Sequence, residues 1–289
     1  MSAGRLEIEL RPAVLRWARE RAGLEPDALA GKLGVKPERV HEWERSGRIS
    51  LAQADKLAHH THTPLGFLYL PEPVDDRLPI PDLRTVADRP LRRPSPELLD
   101  TIQDMQRRQA WMRDELIEQG SEPLAFVGSA GLDQAPEQVA DAVREVLGFE
   151  PHWAQAEPSW TDALRRLRDQ AEQAGVLVVF NGVVGNNKHR PLDPEEFRGF
   201  ALVDDYAPLV FVNGADFKAA QIFTLVHELA HLWCGAGGVS NFEALQPSPD
   251  KVEQFCNRVA AEFLVPATEL RAVWQQAPEG DDRYQFLAR

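Results

Sequence analysis

Seven prolines fall within 26 residues of this 289-residue chain: Pro71, Pro73, Pro79, Pro81, Pro90, Pro94 and Pro96. Each lacks an amide donor and fixes φ, so this density excludes regular helix and holds the backbone extended. Helical periodicity resumes on both sides, which makes the stretch a boundary between domains rather than a loop inside one. The charge balance changes there too. Residues 1–70 carry 11 Lys and Arg against 9 Asp and Glu, a net of +2, while the whole chain stands at −13. That balance excludes a chain-wide cationic surface for coating nucleic acid or anionic lipid and leaves room for one basic face. Two cysteines, Cys234 and Cys256, make no disulfide framework. The alternation of charge and apolarity from Arg5 to Arg11 is not what a secretory leader is expected to show, and no stretch nears the roughly 18 uninterrupted apolar residues of a membrane span. The expectation is a soluble cytoplasmic protein with no membrane contact.

Short helices are expected over residues 11–70. One runs from Ala13 and stops at Gly23, a second over 27–33 ends at Gly34, and a third starts at Pro37 and ends at Gly47. Ser50 caps a fourth. Beyond the prolines, residues 95–119 read as one long polar helix with Leu98, Ile102, Met105 and Met112 on a stripe, followed by helices near 136–147 and 160–174. The period then changes to strand over 176–180, 199–203 and 208–212, with Asn186 to Arg190 as a polar turn, before helices return at about 217–233 and 251–263. Helices around a small sheet make the second part α+β, and the first is expected to be all-α. The expected divisions are a helical domain over 1–70, a Pro-rich linker over 71–97, a connecting helix and loop over 98–132, the α+β domain over 133–275, and a tail over 276–289.

The strongest chemical signal is His227-Glu228-Leu229-Ala230-His231. On a helix, residues four apart share a face, so both imidazoles reach one metal while Glu228 stands beside it without binding. The surrounding Phe223, Leu225, Val226, Leu229 and Leu232 bury this run, and buried ionisable groups need partners. Zinc lowers the pKa of a bound water toward about 7, and Glu228 then serves as general base and afterwards as acid. A catalytic zinc takes three protein ligands. Cys234, Glu243, Asp250, Glu253, Cys256 and Glu262 are the downstream candidates. Glu253 is chosen because it opens the next helix and shares a face with Cys256, Asn257 and Ala260. Asn257, one turn on, suits an orienting role toward a ligand. His189 and Tyr206 are weaker expectations at the cleft, Tyr206 as a donor to a developing oxyanion.

Residues from about 135 to 270 resemble the ImmA/IrrE family of metallopeptidases. The resemblance is carried by Gly199-Phe200-Ala201-Leu202, by Ala207 to Asn213, by Phe223 to Leu232 and by Glu253 to Pro266. It implies a zincin-like fold and one zinc per chain, with His227 and His231 as its histidine ligands, Glu253 as its third ligand and Glu228 as the catalytic acid/base. It also implies a protein substrate such as a helix-turn-helix repressor, in stress-response or toxin–antitoxin settings. In a zincin-like fold, the strand Pro208–Asn213 is expected to hold a substrate peptide extended by edge pairing.

Residues 11–70 resemble the XRE/Cro-type helix-turn-helix domain through Leu29-Ala30, Leu33-Gly34-Val35, Val40, Trp43-Glu44, Gly47 and the run from Ala54 to Leu65. This implies DNA binding by the third helix, whose N-terminal Lys36, Glu38, Arg39 and Glu42 meet the major groove, and a homodimer on paired half-sites. Arg39 is suited to guanine and Lys36 to a phosphate. Glu38, Glu42 and Glu44 make that helix acidic, and a net of +2 predicts a shallow salt dependence. A bundle for dimerisation or partner docking is the other reading of the same helices.

Together these features predict a DNA-binding regulatory zinc metallopeptidase that cleaves a repressor or a toxin/antitoxin partner. Two other functions use the same ligands. One is a repressor or antitoxin whose zinc domain chiefly binds a partner. The other is a latent protease whose cleft is blocked by the N-terminal domain or the long helix until a stress signal arrives.

Overall fold

The computed structural model describes residues 6–75, 77–82, 94–150, 153–240 and 250–276. Glu243, much of the Pro-rich linker and all but the first residue of the expected tail lie outside these. Contacts divide the described chain into two units, residues 6–78 with 94–100, and residues 79–82 with 101–276.

The first unit opens with β1 (Glu7–Glu9), followed by α1 (Pro12–Arg21), α2 (Pro26–Leu33) and α3 (Pro37–Ser46). Then come β2 (Arg48–Ser50), α4 (Leu51–His60) and a 3-10 turn over Leu65–Tyr69. Proline stands in the first turn of each of the first three helices, where its missing N–H costs nothing, and the Ser50 side chain accepts from the Gln53 amide to cap α4. Leu15, Leu29, Val40, Trp43, Leu57 and Leu68 close one core. The unit is helical as expected, with one small addition: β1 and β2 pair antiparallel with Ile8 opposite Ile49. Three-residue strands are too short to register as a period, and only the pairing reveals them.

The long helix α5 (Pro96–Glu118) buries Leu98, Ile102 and Met105, the stripe read from spacing. The second unit continues with α6 (Pro136–Leu147), α7 (Trp160–Gln173), β3 (Leu177–Asn181), β4 (Val183–Val184) and β5 (Asn187–Pro191). It goes on through β6 (Gly199–Leu202), β7 (Leu209–Asn213), α8 (Lys218–Cys234), β8 (Gly238–Ser240), α9 (Lys251–Leu264) and α10 (Ala267–Gln276). Most of the segment expected as a polar turn, residues 187–190, belongs to β5, which pairs antiparallel with β4. Its polar side chains are outward residues of an exposed ribbon.

A four-stranded sheet has the order β3-β7-β6-β8, with β3 parallel to β7 and the other pairs antiparallel. All five residues of β7 are buried, as are all four of β6, which suits central strands. This corrects the expectation for Pro208–Asn213. Both edges of β7 are hydrogen-bonded, to β3 and to β6, so no edge remains to receive a peptide. The core joins α6, α7, α8 and α9 to this sheet through Val143, Leu167, Leu225, Leu229, Val259 and Phe263. The segment 124–130 docks on the end of α8, with Gly128 and Ala130 amides on the Leu232 and Trp233 carbonyls and Phe126 stacked on Trp233 at 4.3 Å. No helix among the described residues is long and apolar enough to cross a membrane.

Candidate metal centre

α8 runs through the core with 13 of its 17 residues buried, and His227, Glu228 and His231 are all fully enclosed. It ends at Gly235, in the left-handed conformation. That turn brings Ala236 back over the last coil of the helix, so its amide donates to the His231 carbonyl at 3.1 Å and its own carbonyl faces His231 Nδ1 at 2.7 Å. A carbonyl only accepts, so Nδ1 carries a hydrogen and Nε2 is the ring nitrogen left to offer a lone pair to the site.

α9 packs against α8. Its Asp250 caps the helix, accepting from the Val252 and Glu253 amides at 2.7 and 3.2 Å. This fixes the first turn, and Glu253, only 3% exposed, points its carboxylate at the two imidazoles. Glu253 Oε2 lies 3.5 Å from His227 Nε2, and Oε1 lies 3.0 Å from His231 Nε2. The two Nε2 atoms are 2.9 Å apart. Ser240 on β8 donates its hydroxyl to Glu253 Oε1 at 3.3 Å.

Burial sets the electrostatics. It lowers the His227 pKa to about 4, only partly offset by Glu253, with His231 pushing the same way as burial. For Glu253 burial acts upward, but the two imidazoles outweigh it and bring the carboxyl down to about 2. Glu228 goes the other way: burial, then the charge of Glu253, raises it well above the ordinary carboxylate range, with the nearby Ser240 hydroxyl opposing. Both Glu228 oxygens are buried without a hydrogen-bond partner among the described residues.

The donor set fits a divalent cation. His227, His231 and Glu253 offer ligand atoms that all lie within 4.8 Å of one another. With His231 Nε2 presenting a lone pair toward a carboxylate oxygen and a second imidazole nitrogen, electron pairs converge that only a shared cation or proton reconciles.

The structure thus brings four of the sequence-predicted residues together, and Asn257, one turn beyond Glu253 on α9, acts on His227 by raising its pKa slightly against burial. It does not bring Tyr206 or His189 there. Tyr206 lies in the turn beyond Leu202, at the end of the β6–β7 hairpin away from Gly199. His189 is exposed on the β4–β5 ribbon. The Cys234 and Cys256 thiols face each other, each dominating the other's titration, and Cys256 is fully buried.

Sequence reasoning missed three contributors. Ser240 belongs to a three-residue strand with no periodic signal. The Ala236 carbonyl is backbone. Gly199 is quoted in the family resemblance, yet its role is visible only in space. A Cβ there would stand 2.6 Å from Thr224 Cγ2, 2.8 Å from the Phe211 carbonyl and 3.1 Å from Glu228 Oε1, so glycine lets β6 lie directly on α8 beside the Glu228 carboxylate.

In the first unit Lys36, Glu38 and Arg39 are exposed at the start of α3 and Glu42 is partly so. Arg39 Nη1 pairs with Glu42 Oε2 at 2.6 Å, and its guanidinium lies 6.0 Å from the Trp43 ring centroid. Glu44 departs from the expected acidic surface. It is 7% exposed and accepts from Arg19 Nε at 2.5 Å and Nη2 at 3.1 Å, so it adds no free charge to the recognition face.

Residues 171–289 match the peptidase M78 family model, described as the IrrE N-terminal-like domain, and residues 15–68 match a helix-turn-helix family model. Comparisons with curated proteins and with solved structures find no match.

Proposed function

We propose that this chain, which joins a helix-turn-helix domain to an IrrE N-terminal-like domain of the M78 peptidases, is a DNA-binding regulator that hydrolyses a peptide bond in a regulatory protein. The observation that carries the reading is the convergence of three buried ligand atoms from His227, His231 and Glu253 beside an unpartnered carboxyl. Zinc held by these three residues supplies a Lewis acid for the scissile carbonyl and acidity to the attacking water.

The chain's own groups do the rest. The Ala236 carbonyl holds the His231 tautomer, Ser240 steadies Glu253 Oε1 and Asn257 orients His227. Glu228 takes a proton from the attacking water on a carboxylate oxygen and delivers it to the departing amide nitrogen. The water oxygen bonds to the carbonyl carbon as the C–N bond breaks. Its substrate class, a repressor or a toxin/antitoxin partner, follows from coupling the centre to a DNA-binding unit. Lys36 and Arg39 are the proposed DNA contacts.

Elemental mass spectrometry of the purified full chain tests the centre. The expected result is about one zinc per chain, lost in Glu253→Gln and kept in Glu228→Gln. A wild-type chain that takes up no zinc on titration would sink the peptidase reading and leave a DNA- or partner-binding protein.

A further inference from the structure

The outer edge of β8 is the sheet edge that adjoins the metal centre. Ser240 donates to Glu253, and Ala236, two residues before the strand, anchors His231. The other edge of the sheet, β3, lies three strand spacings away, about 14 Å. On β8, Gly238 and Ser240 are paired with β6 through Ala201 and Gly199, and the Arg198 amide donates to the Ser240 carbonyl. The Val239 amide therefore faces outward. It is taken: Val239 N–H donates to the Pro81 carbonyl at 3.0 Å, and Asp82 pairs with Val239 in a parallel bridge.

We propose that residues 80–82 are an internal mask on the peptide-pairing edge of the metal centre, displaced when a substrate strand is bound. The proposal rests on the peptidase reading above and adds its regulation. An extended peptide adds to an exposed edge through main-chain hydrogen bonds, and β8 offers the edge nearest the centre. Pro81 contributes one bond to this edge through its carbonyl and, lacking an N–H, can add no bond of its own as donor. A substrate with its own amide donors makes the full ladder that Pro81 cannot. Pro81 and Asp82 are exposed, whereas Ile80 is half-buried and lines, with Pro81, Gln109, Leu202 and Val252, a cleft of about 460 Å³. Ile80 is thus the least exposed side chain of the mask. This differs from the sequence-based expectation of a cleft blocked by the N-terminal domain or the long helix.

The test uses the zinc-loaded full chain, Ile80→Ser, and a second variant combining Ile80→Ser, Pro81→Gly and Asp82→Gly. Amide exchange at Val239 and cleavage of fluorescein-labelled denatured casein are both measured, with Glu228→Gln in the Ile80→Ser background as the protease-contamination control. The expected result is exchange about tenfold faster in a variant and casein kcat/KM about tenfold higher, the factor that about 1.4 kcal/mol of relieved competition produces. Zinc stays at one per chain. Faster exchange with unchanged cleavage overturns the mask and leaves the peptidase standing. Val239 protection that neither variant changes overturns it as well. If zinc-loaded wild type and both variants all fail to cleave, the peptidase reading falls and takes the mask with it.

Discussion

Arg19 and Glu44 in the first unit and Glu228 in the second are buried charged side chains on helices, and the two units dispose of them in opposite ways. Arg19 on α1 and Glu44 on α3 satisfy each other through two hydrogen bonds, and Arg19 Nη1 also donates to the Leu24 carbonyl at 2.9 Å. The Glu44 bond is the main cause that raises the Arg19 pKa, which keeps the guanidinium charged. In the second unit His227, His231 and Glu253 crowd together and Glu228 has no hydrogen-bond partner among the described residues. A satisfied buried pair needs nothing further and holds two helices in register. An unsatisfied set is stable only with another group present, and it marks where chemistry is done.

The largest expected effect breaks that contrast at Glu228. Glu228→Gln removes the base, and cleavage by the zinc-loaded chain is expected to fall about 1,000-fold with zinc content unchanged. Metal-free stability should rise in the same variant, because a buried carboxyl without partners is replaced by a neutral amide. A variant that cleaves within about threefold of wild type, or that melts lower without metal, would place Glu228 among the satisfied charges.

The converse substitution acts on the first unit. Glu44→Ala leaves Arg19 buried and unpaired, and urea unfolding of the full chain should show its transition destabilised by about 3 kcal/mol. The double replacement Arg19→Met with Glu44→Leu should recover most of that, since a buried pair is worth little more than well-packed apolar groups. A double variant as unstable as the single one would mean the pair carries specific structure that packing cannot replace.

Acidity separates the same groups in the metal-free protein. His227 titrates near 4 when folded and near 6.5 when unfolded, so the unfolded state binds more protons in between. The His227 contribution to stability is therefore expected to fall as pH drops from about 6.5 to 4, by about 3 kcal/mol at the lower end. Glu253, depressed to about 2, adds loss of the same sign below about 4.5. Glu228 has the opposite sign: its raised folded pKa means stability is lost as pH rises from 4.5 through that value. Over pH 4.5–6.5 the two contributions oppose each other in the wild type, so the acid limb should emerge in Glu228→Gln, where only His227 and Glu253 act, in denaturant midpoints across pH 4–8. A Glu228→Gln profile flat from 6.5 to 4 would contradict a neutral buried His227.

The contrast was only half legible in the sequence. The i, i+4 histidines, the buried run around them and a Glu on the next helix are local patterns, so α8 and the face of α9 follow from spacing and apolar content. Glu44 reads from the sequence as one more acid on a polar helix. Only the docking of α1 against α3 shows that Arg19, 25 positions away, neutralises it. The same reason hid the sheet order. Pro208–Asn213 is a strand by composition, but whether its edge is free depends on β3 and β6 arriving on either side. Strands of three residues, β1, β2 and β8, carry no period at all, yet β8 supplies Ser240 and the edge that Pro81 occupies.

The smallest expected effect lies on α3, the helix proposed to meet DNA, where a charge pair is exposed instead of buried. Arg39 and Glu42 are bonded at 2.6 Å with 47% and 46% of their side chains exposed, so solvent screens the pair and its loss should move stability by no more than about 0.5 kcal/mol. Its effect on DNA should be larger and of opposite sign for the two partners. Arg39→Ala removes a base-reading or phosphate-reading cation and is expected to weaken binding by about 1 kcal/mol or more. Glu42→Gln removes a negative charge from the same face and frees the Arg39 guanidinium, so affinity for duplex DNA should rise about fivefold, with a steeper salt dependence as one more phosphate contact forms. Fluorescence anisotropy on a labelled random-sequence duplex between 50 and 200 mM salt reads both. If Arg39→Ala and Glu42→Gln leave the affinity and its salt slope unchanged, α3 does not face DNA. The paired, screened charges on its surface would then belong to a helical module that docks protein.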